Sequence, residues 1–270
     1  MICALGDLIL DVIVCLDGPI AEHTDTYGQA SVGVGGPAAN VAAWATALGG
    51  RGVVLARRAD DVAGRLVADE LARHGVGLAG PRRGGTTGTV VSIASLDGRR
   101  TMLTDRGSAL DFEPDDLEPA CLDGCETLHV PAYSLAREPI RSTALAAAGT
   151  ARRGGARVSL DLSSVAVISA AGGSLHETVA ELAPDVVFAN EAEAELYGPL
   201  DAPTVVVKLG ARGCRVETTA ETLEHPAVPT DVVDTTGAGD TFAVGFLLGG
   251  ADLALDAAAR SVARMGAMPW

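Results

Sequence analysis

The sequence predicts an α/β fold built on a mainly parallel sheet, with a small β-layer beside it. Short, nearly continuous apolar runs ("GVVLARR", "TLHVPA", "RVSLDL", "VVFAN", "TVVVKLG") read as strands buried on both faces. Ala-rich stretches with helical spacing lie between them, and such alternation over most of a chain calls for parallel pairing. The rhythm breaks in two places. "TVVSIASLDGRRTMLT" holds two strand-like runs joined by Asp97-Gly98, a hairpin signal. "DVIVCLDG" follows the first strand with no helix between. Antiparallel pieces of this kind do not belong inside a parallel sheet, so they form the side layer.

Taken in order, "MICALGDLILDVIVCL" opens with strands. Asp7 and Asp11 interrupt its apolar run and no basic region precedes it, so it is neither a signal peptide nor a membrane span. In "NVAAWATALGG" Val41, Trp44, Ala45 and Leu48 recur on one helical face, and Gly49-Gly50 ends the helix. Further helices are expected around 63–74, 140–153, 176–183 and 191–197, with a last one from Gly237. One domain over 1–270 is expected, with a lid formed by about 11–34 and 86–106.

Composition narrows the function. Apolar residues reach 48% and aromatics only 3%, so the core is built from Ala, Val and Leu. A net charge of −15 argues against nucleic acid or an anionic membrane as partner and is otherwise the charge of a soluble surface. The single lysine, Lys208, precedes Leu209, so no P-loop exists. Five scattered cysteines fit a reduced, cytoplasmic protein, and neither they nor the five histidines show zinc spacing.

The chemistry concentrates in "DTTGAGDTF", 234–242. A Gly-rich turn opening a helix presents free N–H groups and the positive end of the helix dipole, an anion site. Asp240 follows at once. It is either an acid complementing the dipole or a base that takes a hydroxyl proton while the N–H groups hold a phosphoryl group.

This stretch resembles the C-terminal signature D-T-x-G-A-G-D of the ribokinase or PfkB-type carbohydrate kinases. "GGPAANVAAWATALGG" (35–50) is similar to the N-terminal signature, "NEAEAEL" to the N-x-x-E pattern, "VVVKLGARG" to the nucleotide-loop strand, and "ALGDLILDVIV" to the first strand. The matches keep the family's order and span almost the whole chain. The resemblance implies a three-layer α-β-α ribokinase-like fold with a small β lid. It also implies ATP-dependent phosphorylation of a sugar hydroxyl in the presence of Mg²⁺.

The implied roles follow position by position. Asp240 would be the catalytic base and Gly237, Ala238 and Gly239 the anion hole. Asp11, Gly35, Gly36 and Asn40 would hold substrate hydroxyls, the paired glycines letting a ring approach the backbone. Asn190 and Glu193 would organise Mg²⁺ through water, or serve as N-cap and N3 of a helix. Lys208, Gly210 and Gly213 would line the nucleotide, with a snorkelling strand-end lysine as the alternative for Lys208. Asp234 belongs to an implied K⁺ site. Arg106 would face an anionic substrate or stand exposed on the lid edge, and Tyr133 sits just past a strand end.

Departures from the family pattern are Ala59 in "ADDVAG", where a glycine is usual, and a stretch after Asp240 shorter than the family's helix pair. The latter bears on the adenine pocket and on K⁺. "GVGGPA" also fits a dinucleotide fingerprint, but it stands too far from the first strand for an oxidoreductase. A nucleoside kinase of the same fold and a catalytically weakened sugar-binding protein are the remaining alternatives. Unpaired lid edges would be the surface on which a homodimer forms.

Overall fold

The protein, studied as a computed structural model, is described over residues 1–94 and 100–270, and the expected Asp97-Gly98 turn lies outside the described residues. The chain begins with β1 (Ile2–Leu5), β2 (Ile9–Leu16), β3 (Gly28–Gly35), α1 (Pro37–Ala47), β4 (Gly52–Leu55), β5 (Arg58–Ala59) and α2 (Val62–Arg73). It continues with β6 (Gly77–Ala79), β7 (Arg82–Arg83), β8 (Thr87–Ala94), β9 (Arg100–Gly107), β10 (Thr127–Pro131), α3 (Ile140–Arg153) and β11 (Arg157–Asp161). The last part comprises α4 (Val165–Ala171), α5 (Gly173–Leu182), β12 (Val186–Asn190), α6 (Glu191–Tyr197), β13 (Thr204–Lys208), β14 (Cys214–Thr218), β15 (Thr222–His225) and α7 (Ala238–Val262).

Among the described residues nine strands make the main sheet, in the order β15-β14-β13-β12-β11-β10-β1-β4-β6. Pairing is parallel from β13 to β6, and at the other edge β14 pairs antiparallel with both β13 and β15. The period of two along buried strands sorts the core. Cys3 and Leu5 of β1 pack with α3 and α5 on one face, Ile2 and Ala4 with α1 and α2 on the other. These are the three layers of an α-β-α sandwich. Successive strands lie on one side of β1 up to β6 and then on the other from β10. In open α/β sheets ligands bind at the carboxyl ends of the strands beside such a switch.

Four strands form a second sheet in the order β3-β2-β8-β9. β2 follows β1 with no helix between, as the sequence predicts. It pairs antiparallel with β3 but parallel with β8, and β8 pairs antiparallel with β9. Asp61 anchors this sheet to the main body. Its Oδ1 accepts from the Gly64 N–H (2.7 Å) and caps α2, while Oδ2 accepts from the Thr87 N–H (2.8 Å) at the start of β8. Asp61 and Gly64 of "ADDVAG" thus tie α2 to the second sheet. Ala59 is simply buried in β5.

Two helices depart from expectation. The segment before β12 is two helices, α4 and α5, divided at Gly172 (φ 53°). α7 is also broken, because Gly249 (φ −152°) and Gly250 (φ 78°) leave helical geometry. Its 25 residues are long and apolar enough to cross a membrane by composition, but the break and the packing of Phe242, Ala243, Ala254 and Leu255 against β12 and β13 make it a core element.

Candidate active site

A cleft of about 610 Å³ opens between the carboxyl ends of the main strands and the second sheet. One wall is the start of α7. Gly237 takes the left-handed conformation (φ 73°) at the N-cap, which only glycine adopts cheaply, and no side chain caps the helix. The first-turn N–H groups of Gly239 and Asp240 precede the first intrahelical bond, Thr241 N–H to Gly237 O (2.9 Å). Ala238 differs from its two neighbours. Its N–H donates to Thr235 O at 3.2 Å, and the residue does not line the cleft.

Asp240 is held from across the molecule. Asn40 of α1 donates its Nδ2 to Asp240 Oδ2 at 2.7 Å. Burial pushes the Asp240 carboxyl up to about 7, with Asp161 and Asp11 adding to the rise while Asn40 and Lys208 oppose it. A carboxyl with that pKa is poised to exchange a proton near neutrality.

Lys208, at the end of β13, is not a snorkelling residue. Its Nζ donates to Asp161 Oδ2 at 2.7 Å, at the end of β11, and both side chains are largely buried. Burial works against the charge, but Asp161, Glu193 and Asp240 outweigh it and keep the lysine protonated. The Nζ lies 3.2 Å from where a Cβ on Gly239 would stand, so the glycine brings helix N-terminus and cation together. Beneath them His129 is fully buried, its Nδ1 against Ser159 Oγ (3.0 Å), and burial drives its pKa down to about 4.

Asn190 and Glu193 form the capping box that their spacing allows. Asn190 Oδ1 accepts from the Glu193 N–H (2.9 Å) and Glu193 Oε2 accepts from the Asn190 N–H (2.8 Å). Both also line the cleft, and burial raises the Glu193 pKa. This donor set of carboxylate and amide oxygens is hard and suits Mg²⁺. Among the described residues no group of three or more His, Cys, Asp and Glu gathers as a metal cage. An ion here would be held mostly by phosphate oxygens and water, the usual manner for Mg²⁺ with a nucleotide.

On the opposite wall Asp11 projects from β2. Its pKa is raised to about 6, by burial first and then by the charge of Asp234. The two glycines read from sequence as room for a ring have a different neighbour. A Cβ on Gly35 would fall on the Asp11 carboxylate, and one on Gly36 (φ 102°) on the Asp7 carbonyl. Their bareness lets the two acids sit against the backbone, and of the pair only Gly36 lines the cleft. Arg106, from β9, reaches into the cleft. It contacts the buried Asp7 carboxylate, and its guanidinium lies 4.1 Å above the Tyr133 ring.

The cleft thus gathers Asp11, Gly36, Asn40, Arg106, Asn190, Glu193, Lys208, Gly210, Gly237, Gly239 and Asp240. Gly213 stays outside it, closing the turn from β13 to β14 with a positive φ (100°) where a Cβ would strike the His225 carbonyl. Asp234 is also outside. Its Oδ1 accepts from Thr236 N–H (2.9 Å) and Oγ1 (2.7 Å) and its Oδ2 from Gly266 N–H (2.9 Å), bracing the turn against the C-terminal segment. Asp7 and Asp161 were missed as site residues. Each is an acid at the carboxyl end of a buried strand, the signal that could have found them.

A model of the "pfkB family carbohydrate kinase" matches residues 1–268. A fructokinase of Klebsiella pneumoniae is 29% identical, over 92% of this chain and 83% of that one. An ATP-dependent ribose-1-phosphate kinase of Halopiger xanaduensis is 32% identical, over 91% and 83%. Among solved structures, an adenosine kinase from Sinorhizobium meliloti superposes with a TM-score of 0.88 and 25% identity, covering 99% of this chain and 95% of that one.

Proposed function

The chain belongs to the pfkB family of carbohydrate kinases, and on that premise we propose that Asp240 is the general base for phosphoryl transfer from ATP to a sugar hydroxyl. One observation carries the reading. A buried carboxyl with a pKa near 7 stands in the first turn of a helix whose N-terminus faces the cleft.

In this reading the sugar lies between Asp11, Gly36, Asn40 and the second sheet, which acts as a lid and excludes water. Asp240 takes the proton of the attacking hydroxyl. That oxygen forms its bond to the γ-phosphorus as the bond to the bridging oxygen of ADP breaks. The N–H groups of Gly237, Gly239 and Asp240 and the Lys208 ammonium face the charge that develops on the phosphoryl oxygens. Gly210 lies along the nucleotide. Asn190 and Glu193 would hold Mg²⁺ through water, and the ion would neutralise phosphate charge.

The test is transfer itself. ADP release with ATP and Mg²⁺ is expected to depend on one member of a panel of pentoses, hexoses, sugar acids, sugar phosphates and nucleosides. Stabilisation of the fold by a sugar with no transfer to any acceptor would instead support a binding protein. The likeness to an adenosine kinase keeps nucleosides in the panel. Strands β2, β3, β8 and β9 contain no aromatic residue to stack on a base, which favours the sugar. The pH dependence follows from the base. Only ionised Asp240 accepts a proton, so kcat/KM should rise with pH, pass its midpoint near 7 and level off above. A flat profile from about pH 6 to about pH 8 would remove Asp240 from the role.

A further inference from the structure

The sequence leaves Arg106 as the group to meet an anionic substrate, and the relative named for a phosphorylated sugar makes that a concrete alternative. The cleft is built against it. Among the described residues five carboxylates line it (Asp7, Asp11, Asp161, Glu193 and Asp240) with two cations, Arg106 and Lys208. Each cation is already held, Arg106 by Asp7 and Lys208 by Asp161. Arg106 is also covered on one side by the Tyr133 ring.

The unpartnered buried side-chain atoms of the cleft are of one kind. Asp7 Oδ1 and Asn40 Oδ1 are buried acceptors with no partner among the described residues, on side chains that line the cleft. Asp7 is 3% and Asn40 6% exposed. A buried acceptor without a donor is costly, and a ligand hydroxyl that supplies the donor removes the cost. A phosphate or carboxylate has no donor to give at neutral pH and would add charge to an acidic wall.

Resting on the kinase reading above, we propose that this acceptor site selects an uncharged polyhydroxy sugar over its phosphate ester or acid. Asp7 is the selecting residue, because it neutralises Arg106 through Oδ2 and takes a substrate hydroxyl on Oδ1. Burial raises the Asp7 pKa and the adjoining guanidinium opposes the rise. The same pairing makes Arg106 a positioning residue for Asp7 and the lid strand.

Matched substrates test this with the intact protein. D-Fructose and D-ribose, their monophosphates, and gluconate are compared for ATP-dependent transfer and for thermal stabilisation. One neutral sugar is expected to exceed its monophosphate by about 100-fold in kcat/KM and to be the better stabiliser. A monophosphate or acid used as well as the neutral sugar overturns the inference while leaving the kinase reading intact. Transfer to none, with stabilisation by the neutral sugar alone, sinks the kinase reading and upholds the selectivity. In Asp7→Asn the freed Arg106 should move the neutral-to-phosphate ratio at least about tenfold toward the phosphate. Equal losses for both substrates would reduce Asp7 to a structural part. Should that variant fail to fold, the wild-type ratio decides.

Discussion

Asp240→Asn is expected to lower kcat about 10³-fold while the affinity for the sugar changes little. The substitution keeps size and shape, and its amide oxygen still accepts from Asn40 Nδ2, so the wall of the cleft is preserved. What disappears is the ability to take a proton. A role confined to complementing the helix dipole would cost far less. Stability separates the two further. Burial raises the Asp240 pKa from 3.8 to about 7, so folding disfavours its ionised form. A carboxyl raised in this way contributes stability that is fully present below about pH 3.8 and lost as pH rises through about 7. Above that pH the Asn variant should unfold later than the parent, by as much as about 4 kcal/mol. Urea melts at pH 5 and 8 with sugar-dependent turnover check both halves. A variant with full turnover, or one less stable than the parent at pH 8, would overturn the assignment.

Local pattern made most of the elements legible. The spacing from Val41 to Leu48 marked α1, and its closing glycines marked its end. The Asn190 and Glu193 spacing foretold a capping box that the structure contains. What local pattern could not supply is pairing across distance. Asn40 meets Asp240 two hundred residues away, Arg106 meets Asp7 across 99, and Lys208 meets Asp161 across 47. These bonds decide charge and pKa in the cleft, and only the sheet order brings their partners together. Hence Lys208 read as a nucleotide contact or a snorkelling strand-end lysine, Arg106 as a partner for an anionic substrate or an exposed lid residue, and Asp161 as nothing at all. The glycine pair shows the same gap. Bareness at Gly35 and Gly36 was visible, but the acids that need the space came from β2 and from the link between β1 and β2.

Lys208→Met should be the most damaging single change to the fold and should lower activity with it. The lysine is the cation shared by Asp161, Glu193 and Asp240, and Asp161 is only 2% exposed. Removing one partner of a buried pair leaves an uncompensated charge and costs about 3–5 kcal/mol. The Asp240 pKa, which Lys208 holds down, should rise further, moving the midpoint of the kcat/KM profile above 7. Loss of the cation beside Gly239 should also lower kcat/KM for ATP about 10²-fold at a pH where the base is ionised. A second substitution divides the two effects. Neutralising the stranded acid in Lys208→Met/Asp161→Asn removes the buried charge, so most of the lost stability should return. Activity should not return with it, because the Lys208 ammonium no longer faces the phosphoryl oxygens. If the double variant recovers turnover together with stability, Lys208 serves the fold alone and the charge stabilisation belongs to the helix N-terminus.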